Sequence, residues 1–395
     1  SAYHAAAATT WNSISDPEEQ PRRRLMSLPN ANLIASSRKA AAQMATRDTS
    51  FIFNEWYVAA FAEEVGRELL ARTLLGKRVV LYRTLAGQAV ALEDRCAHRS
   101  FPLSRSRLEG DGIVCGYHGF RYDSQGELIE TPSQKACPRG VGIRHYPLLE
   151  RGPLVWIWLG DPRLADPKRL PQRPWLEDPG WACSKGYFLH PGNYVSMHEN
   201  LMDLTHLTYL HANTIGTPDY AGAPYELDLK EGHYRLVRHV LPTTLSPVWG
   251  RTTGLDGCPT AARITTSEFL SPGLHQVSAT FYDTALPAER RPEFHIRTAH
   301  ILTPETHGSM HYFIVHGRDF AQDDETVGAF MHEQLFAAFV EDVEGLGALE
   351  KVLAEADEDS YEISVASDAP AVATRTYLKR RADEEARQRA AHRVA

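Results

Sequence analysis

Short apolar and β-branched runs, separated by turn-forming residues, fill the chain from Phe51 to Leu159. Such runs are typical of strands, and they predict strands over 78–82, 89–92, 120–122, 128–129 and 155–159, with a turn over 123–126. The next segment, 161–180, contains five prolines, which fix φ and remove backbone donors. No regular element is expected there, so we predict a small all-β domain over 44–162 followed by a proline-rich linker over 163–180.

The rest of the chain has a different pattern. Helical periodicity is predicted over 200–211 and again over 325–358, and a charged tail over 375–395 could form a further helix. Between the first two lie five long runs that predict strands, over 234–241, 262–270, 275–282, 294–302 and 309–315. The predicted fold class is therefore α+β, with an N-terminal all-β domain and a second domain over 181–395 in which an antiparallel sheet packs against helices.

The first 43 residues differ from both predicted domains. They are rich in Ala, Ser and Asn, show no strand alternation, and contain three consecutive arginines. Acidic residues argue against a transit peptide, and no apolar stretch follows the arginines as a signal peptide requires. We therefore predict that 1–43 is a leader, either disordered or foreign to the natural protein, with Met44 or Met26 as the natural start.

Composition narrows the functional classes. Forty-two Lys and Arg against fifty Asp and Glu give a net charge of −8, which argues against a general nucleic-acid binder. The apolar runs are too short to span a bilayer, so no membrane insertion is expected. Five cysteines, an odd number, fit metal ligation or a reducing compartment such as the cytoplasm better than a disulfide framework. Eighteen histidines also favour metal ligation, because imidazole is the commonest metal ligand.

Two Cys–His pairs form the first candidate metal site. Cys96 is followed by His98, and Cys115 is followed by His118, each within three residues. Two hairpin loops could each present one thiolate and one imidazole to a common point, and this donor set suits zinc or a 2Fe–2S cluster with two histidines on one iron. Zinc sites usually show a Cys-x2–4-Cys spacing, which this sequence does not have. The pattern therefore favours the cluster.

His206 and His211 form the second candidate site, with Asn200 and Asp203 on the same stretch. Two imidazoles and one distant carboxylate would make a 2-His-1-carboxylate site, which leaves open positions for oxygen on Fe(II). Residues five apart on an ideal helix are separated by about 140°, so these rings converge only if the helix bends or ends between them. Asp203 is placed to hydrogen-bond the free nitrogen of His206. By itself, such a stretch is more commonly a structural helix.

Together, the two stretches resemble the Rieske non-haem iron oxygenases. The Cys–His pairs, with Gly119, Tyr122 and Gly126 behind them, resemble the Rieske 2Fe–2S motif. Phe101 and Tyr117 stand where respiratory-chain Rieske proteins carry two further cysteines, so the resemblance is to the oxygenase type. The Asn-x2-Asp-x2-His-x4-His spacing over 200–211 resembles the mononuclear iron motif of the same family.

The resemblance also implies the third iron ligand. Residues 339–344 resemble the acidic helix of the family, with Asp342 in the ligand position and Glu341 and Glu344 as the neighbouring alternatives. From residue 56 to residue 342 the chain resembles the single-α-chain branch that includes vanillate O-demethylase, dicamba O-demethylase, toluenesulfonate methyl-monooxygenase and phthalate dioxygenase. For the second domain, this implies a helix-grip, START-like fold.

The family resemblance implies the activity and the partners. A flavin and iron–sulfur reductase, directly or through a ferredoxin, would pass electrons from NADH or NADPH to the 2Fe–2S cluster, and the mononuclear Fe(II) would activate dioxygen beside an aromatic acid. Family members form head-to-tail homotrimers, in which Asp203 would bridge His206 and the partner's His118.

Within the family we predict O-demethylation of a methoxybenzoate. Ring hydroxylation of a phthalate, phenoxybenzoate or arylsulfonate is the alternative. A Rieske electron-transfer protein without its own chemistry is a different class, and it would need only the cluster domain.

Substrate contacts are predicted from the same resemblance and from charge. His300 lies in a strand that resembles one lining the pocket of demethylase relatives, and Asn200 could approach the iron-bound species. Arg297, with Arg238 and Arg263 as alternatives, is a candidate anchor for an anionic substrate. Four further histidines remain open candidates, namely His239, His295, His311 and His316. The three remaining cysteines have no ligand spacing and are predicted to be ordinary thiols, namely Cys137, Cys183 and Cys258.

Overall fold

The computed structural model describes residues 31–357 and 360–394, with side chains described to residue 391. The predicted leader is helical at its end, where α1 spans Ala31–Ala41 without a buried residue; residues 1–30 lie outside the described residues. The N–H of Ala45 donates to the carbonyl of Arg375 at 2.9 Å, and Ala45 is fully buried. The packed part of the structure therefore begins immediately after α1.

Ten short strands form the N-terminal β part. They are β1 Trp56–Phe61, β2 Leu70–Leu74, β3 Lys77–Arg83, β4 Ala89–Glu93, β5 Arg107–Glu109, β6 Gly112–Val114, β7 Arg121–Tyr122, β8 Leu128–Glu130, β9 Leu148–Arg151 and β10 Leu154–Trp158. They pair antiparallel in three sheets, β1-β10-β9, β2-β3-β4 and β5-β6-β7-β8. The strands predicted from the longer apolar runs are all present, and the additional ones are mostly short.

A seven-stranded antiparallel sheet forms the second part. Its strands are β11 Ala182–His190, β12 Tyr225–Lys230, β13 His233–Val240, β14 Ala261–Ser271, β15 Leu274–Asp283, β16 Phe294–Thr306 and β17 Ser309–Arg318, in the order β11-β17-β16-β15-β14-β13-β12. The five predicted strands are confirmed. The two that the sequence did not predict, β11 and β12, lie at the edges and have mainly exposed or half-buried residues.

Four helices complete the second part, α2 Tyr194–Met202, α3 Pro247–Thr253, α4 Glu325–Ala354 and α5 Ala369–Val394. α2 packs between the sheet and α5, and α4 packs against β11 and α3. The other face of the sheet packs on β1, β10 and the linker, through Ala299, Ile301, Phe313 and Val315. Strand alternation thus divides the sheet between a helical layer and the β part. The charged tail is the predicted helix.

Two features join the two parts into one structure. The N–H groups of Leu75 and Gly76, between β2 and β3, donate to the carbonyls of Pro304 and Glu305 at 2.7 and 2.8 Å. The linker contains three short 3-10 turns, and its Trp175 is buried and donates to Gln276 at 3.0 Å.

No helix of the described part is both long and apolar enough to cross a membrane.

Candidate metal centres

His206, His211 and Asp342 come together between α2 and α4. The Nε2 atoms of His206 and His211 lie 3.6 and 3.2 Å from Oδ1 of Asp342. The three residues can each offer one ligand atom such that these atoms lie within 4.8 Å of one another. Two imidazoles and one carboxylate form the donor set of a non-haem Fe(II) site with open positions. The predicted ligand set is therefore assembled from two distant segments.

The end of α2 explains why residues five apart converge. The helix stops at Met202, because Asp203 is extended, with φ −122° and ψ 97°. The carboxylate of Asp203 accepts from the Thr205 N–H at 2.9 Å and starts a 3-10 turn over Leu204–Thr208, which carries His206. His211 follows in the next turn. The condition that the helix must bend or end is met, although the helix predicted over 200–211 is wrong beyond Met202.

The far nitrogen of each histidine ring is held by an acceptor. Nδ1 of His206 donates to the backbone carbonyl of Asp203 at 2.7 Å, and Nδ1 of His211 lies 2.7 Å from Oε2 of Glu341, which also accepts from Thr214 at 2.9 Å. Because both Nδ1 atoms carry the proton, both Nε2 lone pairs face the centre.

One prediction about acidic residues is corrected here, and the two alternatives to Asp342 receive other positions. Asp203 orients His206 through its carbonyl and not, as predicted, through its carboxylate, which is engaged with Thr205. Glu341, the alternative ligand, instead orients His211, while Glu344 is exposed. The position of Glu341 next to Asp342 was the only sequence signal for this role.

Burial and charge act in opposite directions on the third ligand. Asp342 is 5% exposed, and burial alone would raise the pKa of its carboxyl. The neighbouring His211 and His206 rings, together with Asn200, outweigh burial and hold the pKa of Asp342 below its usual value. Asn200 adds a hydrogen bond from Nδ2 to Oδ1 of Asp342 at 3.1 Å, while its own Oδ1 has no partner. The carboxylate is thus kept ionised, as a metal ligand must be.

A cavity of about 60 Å³ adjoins these three residues. Its apolar wall includes Leu204, Leu207, Trp249, Val277, Leu335 and Phe339. Its polar wall includes Asn200, Arg263, Thr265, Thr298 and His300. His300 Nδ1 lies 2.5 Å from the Tyr312 hydroxyl, and burial lowers the pKa of His300 to about 4, so the ring is neutral near pH 7. The prediction that His300 lies in the pocket agrees with this position.

Arg297 does not lie in this cavity, contrary to the prediction. It alternates with Ile296 and Thr298, which do line it, and its guanidinium stacks on Trp181 on the other face at 4.5 Å. Arg238 is buried, but it does not line the cavity either, and its Nη1 donates to three backbone carbonyls. Of the three candidate arginines, only Arg263 reaches the cavity.

The remaining candidate side chains have other positions. His295 pairs with Asp319 at 2.7 Å, His239 lies near Glu226, and His311 bonds Tyr187 and the carbonyl of Thr73. His316 bonds Thr298 at 2.8 Å, directly behind the cavity wall. The three extra cysteines are free thiols, namely Cys137, Cys183 and Cys258.

The two Cys–His pairs lie on two similar loops. In each loop the cysteine N–H donates to the carbonyl five residues on, Phe101 or Phe120, and its carbonyl accepts from the residue four on, Ser100 or Gly119. Both turns need a positive φ, +58° at Ser100 and +72° at Gly119. A Cβ at Gly119 would also lie 2.9 Å from Pro132, so glycine is required there.

The loops bring the four predicted cluster ligands together. Cys96 and Cys115 are each 2% exposed, and the rings of His98 and His118 lie 4.6 Å apart. Nδ1 of His98 is buried and has no hydrogen-bond partner. The Cys96 thiol lies 3.2 Å from the Tyr122 hydroxyl. This donor set of two thiols and two imidazoles fits a Rieske 2Fe–2S cluster. Tyr117 beside it is 60% exposed, so the loop tips face solvent.

Two protein-family models match the chain in the same order as these two sites. The Rieske [2Fe-2S] domain matches residues 55–147, and the vanillate O-demethylase oxygenase C-terminal domain matches residues 191–384. The first range holds the four Cys–His ligands, and the second holds the three ligands of the mononuclear site.

Similar proteins cover most of the chain. A putative toluene-4-sulfonate monooxygenase system iron–sulfur subunit of Comamonas testosteroni is 36% identical over 80% of this chain and 92% of its own. The dicamba O-demethylase oxygenase component of Stenotrophomonas maltophilia is 34% identical over 76% and 89%. The crystal structure of dicamba monooxygenase bound to 3,6-dichlorosalicylic acid has a TM-score of 0.80 at 30% identity, covering 85% of this chain and 99% of that one.

These likenesses agree with the geometry of both sites. The Rieske match excludes zinc as the metal held by the two Cys–His pairs. The second metal site and its domain exclude an electron-transfer protein without its own chemistry. The chain is therefore an enzyme, and it belongs to the Rieske non-haem iron oxygenases of the vanillate O-demethylase type, with a 2Fe–2S cluster and a mononuclear iron held by His206, His211 and Asp342.

Proposed function

We propose that this protein is the terminal oxygenase component of a system that oxidises a single-ring aromatic acid, by O-demethylation of a methoxybenzoate. In that reaction the methoxy arene, dioxygen, NAD(P)H and one proton give the phenol, formaldehyde, water and NAD(P)+. The observation that carries the proposal is the mainly apolar cavity against His206, His211 and Asp342, within the domain that matches vanillate O-demethylase.

The residues around the cavity would position the substrate and exclude water. When bound, the iron at the triad supplies oxygen activation with electrons that arrive through the cluster. Leu204, Leu207 and Phe339 offer apolar surface to an aromatic ring. Asn200, fixed by its bond to Asp342, leaves its carbonyl oxygen free beside the site, and the neutral His300 can accept or donate one hydrogen bond.

Oxidation of an arylsulfonate is the second candidate function. Two relatives named as toluene-4-sulfonate monooxygenase subunits are each 36% identical to this chain, a little above the 34% of the dicamba enzyme. An arylsulfonate presents the same flat ring and single anionic group as a benzoate. The geometry of the cavity supports both substrates equally, so product analysis must separate them.

The experiment is a turnover assay with the holoprotein and an NAD(P)H-dependent flavin and iron–sulfur reductase. Methoxybenzoates and 4-methylbenzenesulfonate are offered separately, and formaldehyde, phenol and hydroxylated products are measured against NAD(P)H consumed. Formaldehyde and phenol in a one-to-one ratio with NAD(P)H support the demethylation. Oxidation of the sulfonate alone would replace it by the second candidate, and loss of NAD(P)H without product from either would contradict both.

We further propose that the protein works as a head-to-tail homotrimer. The exposed tip with Tyr117 and His118 leaves the cluster loops open to a partner, and Asp203 is only partly buried beside the iron site. In this arrangement, the carboxylate of Asp203 would meet the partner's His118 and link the cluster of one chain to the iron of the next.

Asp203→Asn should then keep both metals but slow electron transfer between them severely. Metal content, the trimer mass by light scattering, and single-turnover oxidation of the reduced cluster measure this. Thr205→Ser, which keeps the backbone donor to Asp203, is the matched control. Normal oxidation of the cluster in a fully metallated Asp203→Asn protein would show that this residue does not form the link.

A further inference from the structure

The cavity wall contains a buried positive charge that forms no direct ion pair within the described residues, and Asp219 acts on it only from a longer distance. Arg263 lies on β14 and is 3% exposed. Its guanidinium lies over the rings of Tyr220 and Trp249, at 5.0 and 5.8 Å. Within the described residues no carboxylate approaches its nitrogens within 4.0 Å. An arginine stays protonated in proteins, so a cation faces the space beside the iron ligands.

The hydrogen bonds of Arg263 are incomplete. Nη1 donates to the carbonyl of Ile215 at 2.8 Å, and the buried Nε has no partner. A buried charge that is neither paired nor fully hydrogen-bonded is costly, and such groups are normally paired or bound to a ligand. A bound anion would supply both the missing charge and the missing acceptors.

Arg238 provides a comparison on the neighbouring strand. It is 1% exposed, but its Nη1 donates to the carbonyls of Tyr220, Ala221 and Ala223, and it does not line the cavity. Those bonds use its charge to hold the 220–223 loop. Arg263 makes only one such bond in the described structure and lies in the cavity wall. Holding a loop in place therefore does not explain why a charged residue is buried at this position.

Thr265 lies two residues along the same strand and on the same face as Arg263. It is 1% exposed and it lines the cavity, and its hydroxyl makes no hydrogen bond of good geometry, with the Tyr220 hydroxyl as a polar neighbour. Side chains two apart on a strand stand next to each other. A guanidinium and a hydroxyl in this relation offer converging donors to an oxyanion.

We propose that Arg263 and Thr265 form the anion-binding subsite of the cavity and bind the carboxylate or sulfonate group of a single-ring aromatic substrate. The assumption that the ligand contains an aromatic ring rests on the proposed function. The expectation that the ligand is an anion rests on the unpaired charge of Arg263 in the cavity wall. Anchoring one end of a flat ring fixes which ring substituent reaches the open side of His206, His211 and Asp342. These two residues would thereby determine both substrate class and position of attack.

The test measures binding separately from turnover. Holoprotein with an oxidised cluster and no reductase is titrated by calorimetry with 4-methoxybenzoate, 4-methoxybenzenesulfonate and the neutral 4-methoxybenzamide. The wild type should bind both anions more tightly than the amide. Arg263→Met should weaken anion binding by about 10- to 100-fold, the size of a lost charged hydrogen bond, and leave amide binding within about threefold.

Arg297→Met is the matched control, because Arg297 is on the opposite face of the same sheet and outside the cavity. Its anion preference should equal that of the wild type. Since Arg263→Met could fail to fold, Thr265→Val serves as the second variant, with an expected loss of about 3- to 10-fold for the anions alone. Cluster spectra and circular dichroism establish that each variant is folded.

The outcomes separate this inference from the proposed function. Loss of the anion preference in Arg263→Met supports the subsite. If Arg263→Met does not fold, a reduced preference in Thr265→Val supports it instead. If only the benzoate or only the sulfonate shows it, the subsite holds for that oxyanion. An unchanged anion preference in a folded Arg263→Met protein overturns the subsite. If Arg263→Met does not fold, an unchanged preference in Thr265→Val overturns it. A wild-type protein that binds the amide as tightly as the anions also overturns it. Tight, Arg263-dependent binding without demethylation would leave the subsite standing and remove the proposed reaction.

Discussion

The hydrogen bond on the far side of each imidazole determines which nitrogen the metal site receives. His206 and His211 both have Nδ1 engaged, one by a backbone carbonyl and the other by Glu341. Replacing the side chain of Asp203 leaves its backbone carbonyl in place, whereas replacing Glu341 removes the acceptor of His211. The two ligands therefore differ in how far their orientation depends on another residue's side chain.

Glu341→Ala should lower the affinity of the mononuclear site for Fe(II) by about 10- to 100-fold, because His211 loses the acceptor that fixes its tautomer and ring plane. The Rieske cluster should be unaffected, since its ligands lie in the other part of the chain. Competition with an iron chelator, with the cluster spectrum recorded alongside, measures both. Glu344→Ala changes an exposed carboxylate on the same helix and should leave the affinity unchanged. Equal affinities in the two variants would rule out this role of Glu341.

At the scale of secondary-structure elements, the point where a helix ends positions functional side chains as much as the face it buries. α2 ends at Met202, so that His206 and His211 fall into a 3-10 turn and a following turn instead of on opposite sides of one helix. α5 connects the two ends of the described chain, because the carboxylate of Glu385 accepts from the N–H groups of Phe53 and Asn54 at 2.8 and 3.0 Å. These contacts lie far apart in sequence and depend on the packed structure.

Glu385→Ala should lower the free energy of unfolding by about 1–3 kcal/mol, because two partly buried N–H groups lose a charged acceptor. Thermal unfolding measures the loss, and amide hydrogen exchange at residues 51–56 should show where it acts. Glu384→Ala on the same helix removes only a partly exposed contact with Arg380 and should stay within about 0.5 kcal/mol of the wild type. Similar losses in both variants would mean that the cap on Phe53 and Asn54 contributes little.

At the scale of the whole molecule, the second part buries several histidines in their neutral form. Burial lowers the pKa of His198 to about 4, of His300 to about 4 and of His316 to about 3. In the unfolded chain each would titrate near its ordinary value of about 6.5. Below that pH the unfolded state therefore binds more protons than the folded state, so stability must fall as the pH falls.

Between pH 7 and pH 5, each of these histidines should remove on the order of 2 kcal/mol of folding free energy. His316→Asn should reduce the pH-dependent loss by about that amount, because one of the protons taken up on unfolding is gone. Urea unfolding followed by circular dichroism at the two pH values measures the difference. A wild-type stability that is flat over this range would contradict the neutral buried state.

Local spacing determined the metal chemistry and much of the fold. The Cys–His pairs lie in short loops, and the five long strands contain runs of apolar, aromatic and β-branched residues, so both depend on residues that are close in sequence. The edge strands β11 and β12 were missed because their residues are mainly exposed or half-buried: β11 has no β-branched residue, and β12 alternates apolar and charged residues over only six positions. The leader prediction missed α1, whose apolar positions are few and unburied.

The tertiary structure alone decided which candidates share a site. Arg263 on β14 and Arg297 on β16 look alike in sequence, but the alternation of side chains along each strand places one in the cavity and the other on the opposite face. Glu341 and Asp342 are neighbours, but only the helix packing shows that one binds a ligand ring and the other faces the centre. The sequence by itself determined the donor types and their order along the chain, because these are set by residue identity and spacing. Which side each donor faces depends on strand register and helix ends, and these are fixed only when distant segments pack.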